Sequence, residues 1–412
     1  MIRITINDGS ARVINASRSE AVLGFAPDVP APGDIPLAGS GLVEARGALL
    51  CWDVTAGERY PHALIHAPDE AAGWLWELYG DRVADAVLAA TDAGPWSEAS
   101  EESIAPEHTG PRDQLWQLAS LSWAEAWWPA SRRAGIPALS RVLLAADTAL
   151  ATAAAEHLLE DENAVERALS AVGTMLAGLR SVRAWPAFTT EADQIAESLR
   201  NLAEDRGFAE TGDGEATNET SARPGTGPPA EPPRGPGSRS DDPNDWALAA
   251  GGEHVSSQLA LASGSAPTAW SGLGPQTLDA AAEAEWSILR RDGRNRLAVT
   301  VPAAPEVRYP IPETPPAPVL AARFGPADLG VRLSLRRNGN TFGGETELPP
   351  NALLLPTAER TLSITDPRLD EGDEMEPEPE VRAALLDYAR ARLTEPSASL
   401  AERFAGRDGG RR

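Results

Sequence analysis

The sequence predicts a multidomain α+β protein: N-terminal strands followed by a helical bundle-like layer, a disordered Pro/Gly-rich linker, and a C-terminal mainly antiparallel β region with a closing helix. Three observations lead to this fold class. Apolar residues recur every three to four positions between residues 69 and 205, which is the period of helices. After residue 246 the apolar period falls to two, which is typical of strands. The segment between them is rich in Gly, Pro, Ser and charge, and such segments bury too little apolar surface to order themselves.

These shifts in composition divide the 412 residues into four segments. Residues 1–209 form an α+β domain and residues 210–245 form the linker. Residues 246–400 form a mainly β domain with a C-terminal helix, and residues 401–412 form a flexible tail. The prolines of the linker keep it extended, so we interpret it as a spacer, with a docking motif inside it as the alternative.

The first domain begins with strands. Isoleucine alternates with polar residues over residues 2–6, and after an Asn-Asp-Gly-Ser turn the chain returns as a second strand at residues 11–16. Further strands are predicted at residues 41–54 and 62–66.

Five helices follow, at residues 69–90, 111–128, 140–159, 163–182 and 191–205. The fourth has the most regular apolar stripe, which is the pattern of a helix that buries one face. Because the breaks between these helices are short, we expect them to pack antiparallel, as in a bundle.

Two hairpins dominate the second domain. Residues 286–301 contain an Asp-Gly turn and residues 331–348 an Asn-Gly turn, which are strong hairpin signals. Further strands are predicted at residues 246–263, 319–323 and 361–365, and a helix at residues 380–394. Short strands between Pro and Gly turns indicate a sandwich or a partly open barrel.

The chain contains no lysine, since all 36 basic residues are arginine. P-loop nucleotide binding, protein kinase activity and Schiff-base or pyridoxal-phosphate chemistry each require a lysine, so these classes are excluded. The glycine pairs at residues 39–41 and 272–274 do not match a dinucleotide fingerprint, and we expect no cofactor. No motif identifies a catalytic residue or a metal ligand.

The single cysteine, Cys51, lies in an apolar run, and no histidine is obviously placed to activate it. We interpret it as a buried core thiol, with a nucleophile as the alternative. A chain with one thiol cannot form an internal disulfide, and its bias towards Ala, Gly, Pro and Arg indicates a GC-rich bacterial genome. We therefore expect a bacterial cytoplasmic protein.

The formal net charge is −25, of which −15 belongs to residues 1–209. A negative surface repels phosphate, so neither nucleic acid nor an anionic membrane is an expected partner. No apolar run reaches the roughly 18 residues of a spanning helix, so we expect no membrane insertion. A protein partner with a basic surface is compatible with this charge, and solubility alone also explains it.

The densest acidic cluster includes Asp370, Glu371, Asp373 and Glu374. Its spacing does not match a calcium-binding EF-hand loop. We interpret the cluster as a solvated loop, with a docking surface for a basic partner and a weak cation site as alternatives.

Tryptophan is unusually frequent, with 12 residues against four Tyr and six Phe. Trp116, Trp123 and Trp127 share one face of the second predicted helix, and Trp128 points elsewhere. These side chains either fill a core or form a partly exposed patch that binds a protein partner, since Trp is a frequent anchor at interfaces.

Two function classes remain open. The preferred hypothesis is a non-catalytic interaction protein, a scaffold or adaptor of a bacterial cytoplasmic system, whose two tethered domains contact different partners. The alternative is a hydrolase with an unrecognised carboxylate or Cys/His site. A deep pocket with convergent acids, or Cys51 beside a histidine, would favour the hydrolase, whereas an exposed Trp patch would favour binding.

Overall fold

The structure is a computed structural model that describes residues 2–7, 10–15, 37–56, 60–92, 100–103, 110–208, 259–270, 272–307, 318–326, 331–369 and 379–409. The predicted linker at residues 210–245 and the acidic cluster at residues 370–374 lie outside this part of the chain.

A six-stranded antiparallel sheet opens the fold. Its strands are β1 (Ile2–Asn7), β2 (Ser10–Asn15), β3 (Ser40–Ala45), β4 (Ala48–Asp53), β5 (His62–Ile65) and β6 (Ser100–Ser103). Their order across the sheet is β3-β4-β5-β1-β2-β6, which makes β3 an edge strand. The predicted hairpin at the N-terminus is present, with Ile4 opposite Val13.

The single strand predicted at residues 41–54 is instead a hairpin of β3 and β4. Gly47 causes the difference: its φ is 75°, a left-handed conformation that glycine adopts without steric cost. A Cβ atom at this position would lie 2.4 Å from the carbonyl oxygen of Ala67, so no other residue fits the turn.

Eight helices of the described chain follow the first strands. They are α1 (Pro68–Ala71), α2 (Leu75–Tyr79), α3 (Asp81–Asp92), α4 (Gly110–Trp127), α5 (Arg141–Ala155), α6 (Ala164–Leu169), α7 (Val172–Val182) and α8 (Thr189–Asp205). The helix predicted at residues 69–90 is divided into three, and Gly80, with a φ of 90°, separates the last two. Ser140 caps α5 by accepting a hydrogen bond from the Leu143 N–H.

The second sheet has seven antiparallel strands and forms a half-barrel. Its strands are β7 (Leu259–Pro267), β8 (Glu283–Arg291), β9 (Arg294–Pro302), β10 (Leu320–Phe324), β11 (Val331–Asn338), β12 (Thr341–Glu347) and β13 (Leu362–Thr365). The order is β13-β10-β11-β12-β9-β8-β7, and it contains both predicted hairpins. The predicted fold class is confirmed.

Two C-terminal helices, α9 (Pro379–Arg392) and α10 (Leu400–Gly409), pack on the core of the first sheet and its helices. Phe404 is buried there, with its ring centre 5.5 Å from that of Trp185. The sequence predicts a flexible tail at residues 401–412, whereas residues 400–409 are helical. Ser399 and Glu402 explain the helix start, because each side chain accepts a hydrogen bond from the other's backbone N–H in a capping box.

The described residues between 2 and 208 share one core with residues 379–409 and form the first unit, and the second unit is the half-barrel. Within the described residues, every helix is too short or too polar to cross a lipid bilayer.

Candidate functional site

The two units meet where the loop after α4 contacts the connection between β7 and β8. Asp279 of that connection is 2% exposed, and its carboxylate accepts a 2.6 Å hydrogen bond from the Ser131 hydroxyl. The backbone N–H groups of Arg132 and Arg133 donate to its other oxygen, at 2.8 and 3.4 Å. The buried charge is thus well supplied with donors, which is what allows a carboxylate to sit inside a protein.

Further hydrogen bonds fix the same contact. Gln276 accepts through Oε1 from the Leu139 N–H at 2.8 Å, and its own backbone has a φ of 53°, which is unusual for a residue with a side chain. The Ala280 N–H donates to the Ala130 carbonyl at 3.1 Å. These bonds hold the two units in one defined orientation.

A shallow groove of about 50 Å³ lies along this contact. We call it the junction groove, and its wall includes Trp127, Pro129, Trp270, Leu273 and Pro275. Trp127 and Trp270 are half-buried, so each keeps part of its ring in contact with solvent. The groove is therefore lined by aromatic, leucine and proline side chains from both units.

Arginines border the junction groove on two sides. The Arg382 guanidinium of α9 lies 5.1 Å from the ring centre of Trp270 and donates to the Thr268 carbonyl at 2.7 Å. Arg141 of α5 donates to the Pro275 carbonyl at 3.3 Å. Cations over tryptophan faces are attracted by the ring quadrupole, so Arg382 also stabilises the orientation of Trp270.

The four tryptophans of the sequence hypothesis have different environments. Trp123 and Trp128 are buried, and their indole N–H groups donate to the carbonyls of Ala38 and Pro137, each at 2.8 Å. Trp116 is half-buried, with its ring centre 6.3 Å from that of Trp52. Of the four, only Trp127 and Trp128 line the junction groove, and only Trp127 is partly open to solvent there. Trp116, Trp123 and Trp127 share one face of α4, but this helix packs against both β3 and α5, so the three side chains have different surroundings.

Sequence reasoning did not find Trp270, Gln276 or Asp279 as site residues. Asp279 contacts a hydroxyl 148 positions earlier in the chain, and no local period encodes such a contact. One local feature could have pointed to this region: the Gly-Leu-Gly-Pro stretch at residues 272–275 predicts an irregular connection near Trp270.

Cys51 and His62 lie directly opposite each other on β4 and β5. Sequence reasoning found no histidine placed near this thiol, and the register of the two strands corrects that interpretation. Burial raises the pKa of the Cys51 thiol and lowers the pKa of His62, so both groups are held neutral. His62 Nδ1 accepts from the Ile6 N–H at 3.3 Å, which places the imidazole proton on Nε2 and leaves no basic nitrogen for the thiol.

No protein-family profile, curated protein or solved structure matches this chain. The function is therefore argued from the geometry and chemistry of the sites themselves.

Proposed function

We propose that this chain is a non-catalytic interaction protein, a scaffold or adaptor of a bacterial cytoplasmic system, and that the junction groove binds a segment of a protein partner. The observation that carries the proposal is the pair of partly exposed rings, Trp127 of α4 and Trp270 of the connection between β7 and β8, which line one groove and pack against the core of the first unit. Because the groove is already formed, a partner has little ordering cost to overcome at this surface.

The size of the groove favours a protein partner over a small molecule. Small-molecule sites usually enclose about 300–1,000 Å³, whereas the junction groove encloses about 50 Å³. Such a volume admits the tip of one apolar side chain. The surrounding Trp and Arg residues belong to the types that contribute most binding free energy at protein interfaces.

The charge beside the groove indicates what the partner segment carries. The chain has a net charge of −25, yet Arg141 and Arg382 both bond to the wall of the groove, and exposed Arg133 lies in the adjoining loop. Guanidinium groups bind carboxylates with two parallel hydrogen bonds. We therefore assign the groove to an extended segment with one large apolar side chain, next to an acidic residue that the exposed Arg133 can bind.

A second partner with a basic surface is a separate part of the proposal. It depends on Asp370, Glu371, Asp373 and Glu374, which lie outside the described residues. The junction groove and that acidic cluster would then contact different partners, as an adaptor requires.

A random-peptide display library selected on the full-length protein tests the groove. The full chain is needed because α9 and α10 complete the core of the first unit. We expect the selected peptides to combine acidic residues with an aromatic or leucine side chain. Trp127→Ala and Trp270→Ala should each weaken their binding about thirtyfold, which corresponds to about 2 kcal/mol.

The matched control is Trp76→Ala, because Trp76 is 51% exposed on α2, away from the groove. This change should leave peptide affinity unaltered. Arg133→Gln tests the charge preference without removing apolar contacts, with Arg290→Gln, at an exposed position of β8, as its control. Peptides that are basic, or whose affinity depends on Trp76 rather than on Trp127 and Trp270, would contradict the proposal.

A further inference from the structure

A second cavity, of about 450 Å³, lies between β3, α4, α5 and α6. We call it the β3–α5 cavity, and it shares no lining residue with the junction groove. Its volume falls within the range of about 300–1,000 Å³ that is typical of small-molecule sites. The two sites therefore differ in the size of the ligand that each can accept.

Short apolar side chains create this space. Leu42 of β3 and Leu118 of α4 form part of the wall, and Ala145, Ala164 and Ala168 face the cavity from α5, the start of α6 and its end. Alanine leaves room where a larger residue would fill the gap between the helices. The wall can thus receive an apolar molecule of moderate size by van der Waals contact.

The edge of β3 supplies backbone hydrogen-bonding groups beside the cavity. The chain at residues 158–160 covers one end of this edge, since Arg46 N–H donates to the Leu158 carbonyl and Glu160 N–H to the Glu44 carbonyl, at 2.9 and 3.2 Å. Backbone groups two residues apart on a strand point in the same direction. The N–H and C=O of Leu42 therefore point outwards as those of Glu44 do, and in the described chain no outer strand pairs with them.

Thr148 provides a buried hydroxyl on the wall of the cavity. Its Oγ1 is buried and has no hydrogen-bond partner within the described residues. One turn later, the Thr152 hydroxyl donates to the Thr148 carbonyl at 2.8 Å, so the neighbouring threonine is satisfied. Buried hydroxyls without partners are uncommon in proteins, but solvent does not reach this oxygen, so the apolar wall and the charged rim define what the cavity can bind.

Carboxylates dominate the rim. Glu44 and Glu125 line the cavity, are exposed to solvent, and form no ion pair within the described part of the chain. The arginine of the rim, Arg167, is already paired with Asp161. The rim therefore carries excess negative charge, which attracts a cation and repels an anion.

We propose that the β3–α5 cavity binds a small amphipathic amine. Its ammonium group lies at the rim with Glu44 and Glu125, and its apolar body contacts Leu42, Leu118 and Ala145. This site is independent of the junction groove and of partner binding there.

Calorimetric titration of the full-length protein with five probes tests the proposal. The probes are tryptamine and hexylamine, the neutral analogues tryptophol and hexanol, and the anion indole-3-acetate. We expect at least one amine to bind, at least tenfold more tightly than its neutral analogue, and indole-3-acetate not to bind. Binding by neither amine, or a preference for the anion, would overturn the proposal.

Variants locate the binding site. Ala145→Leu fills the cavity and should abolish amine binding, while Ala154→Leu, at an exposed position on the same helix, should not change it. Glu125→Gln should weaken binding about tenfold, with Glu197→Gln, at an exposed position of α8, as its control. Because Glu125 lies on the surface, this change is informative even if Ala145→Leu perturbs folding. Unchanged amine affinity in Glu125→Gln together with unchanged affinity in a folded Ala145→Leu would contradict the assignment.

Discussion

The Asp279 carboxylate and the Ser131 hydroxyl, 148 positions apart, form a 2.6 Å hydrogen bond that joins the half-barrel to the helical unit. The same carboxylate also accepts from the backbone of the loop that carries Ser131. This contact positions Trp127 and Trp270 on the two sides of one groove, so the proposed function depends on it.

Asp279→Asn tests the strength of this contact. The amide nitrogen of Asn cannot accept a hydrogen bond, so in one orientation of the amide the N–H groups of Arg132 and Arg133 lose their acceptor, and in the other orientation the Ala281 N–H loses it. We expect the free energy of unfolding in urea to fall by about 2 kcal/mol. Asp205→Asn, at an exposed position at the end of α8, should change it by less than about 0.5 kcal/mol. Equal effects of the two changes would show that Asp279 does not hold the units together.

The buried carboxyl of Asp147, which contacts α10, should make the stability of the protein depend on pH. This carboxyl on α5 is buried, accepts a 3.2 Å hydrogen bond from the Ala401 N–H, and has a pKa raised from 3.8 to about 7, chiefly by burial. Glu191 and Glu402 raise the pKa further, while Arg403 opposes them. The folded state thus holds a proton that the unfolded chain releases above about pH 4, so the contribution of Asp147 to stability falls from about pH 4 to about pH 7.

Asp147→Asn removes this titration and keeps an oxygen that can accept from Ala401. Urea unfolding across the pH range should show the variant gaining stability relative to the unaltered protein as pH rises from about 4 to about 7, with a constant difference above that. Other carboxylates titrate in both proteins, so the difference between the two curves isolates Asp147. A difference that does not change with pH would contradict the raised pKa.

Cys51 provides a test of the hydrolase alternative. Burial raises the pKa of its thiol, and the neighbouring His62 has no basic nitrogen to accept the thiol proton. A thiol reagent should therefore modify native protein only as fast as the chain opens, and modify urea-unfolded protein rapidly. If native protein reacts rapidly, and the rate rises with pH around a midpoint below the ordinary thiol pKa of about 8.5, Cys51 is instead an activated nucleophile.

Regular periodicity explains what could be predicted of the fold. The alternating isoleucines of β1 and the Asp-Gly turn between β8 and β9 gave their hairpins correctly, because these signals are local. Local reasoning failed at Gly47 and at α10. The turn at Gly47 depends on the close approach of Ala67. Helix α10 depends on burial of Phe404 against Trp185, which lies between α7 and α8 and more than 200 residues earlier in the chain.

The candidate site was only partly predictable for the same reason. The excess of tryptophan indicated α4 as a candidate binding surface, and Trp127 does lie in the junction groove. The burial of Trp123 and Trp128 could not be predicted, because it follows from the elements that pack around that helix. Trp270 and Arg382 come from different segments, and the sequence pattern of neither segment reveals the other.

The most direct test of the central claim is the indole N–H region of ¹H–¹⁵N spectra of the full-length protein, recorded with and without a selected acidic peptide. Trp→Phe variants assign each indole signal. We predict that the signals of Trp127 and Trp270 shift together as peptide is added, while that of Trp76, which is 51% exposed elsewhere on the surface, stays in place. A shift of Trp76 alone, or saturating peptide that leaves Trp127 and Trp270 unmoved, would contradict binding at the junction groove.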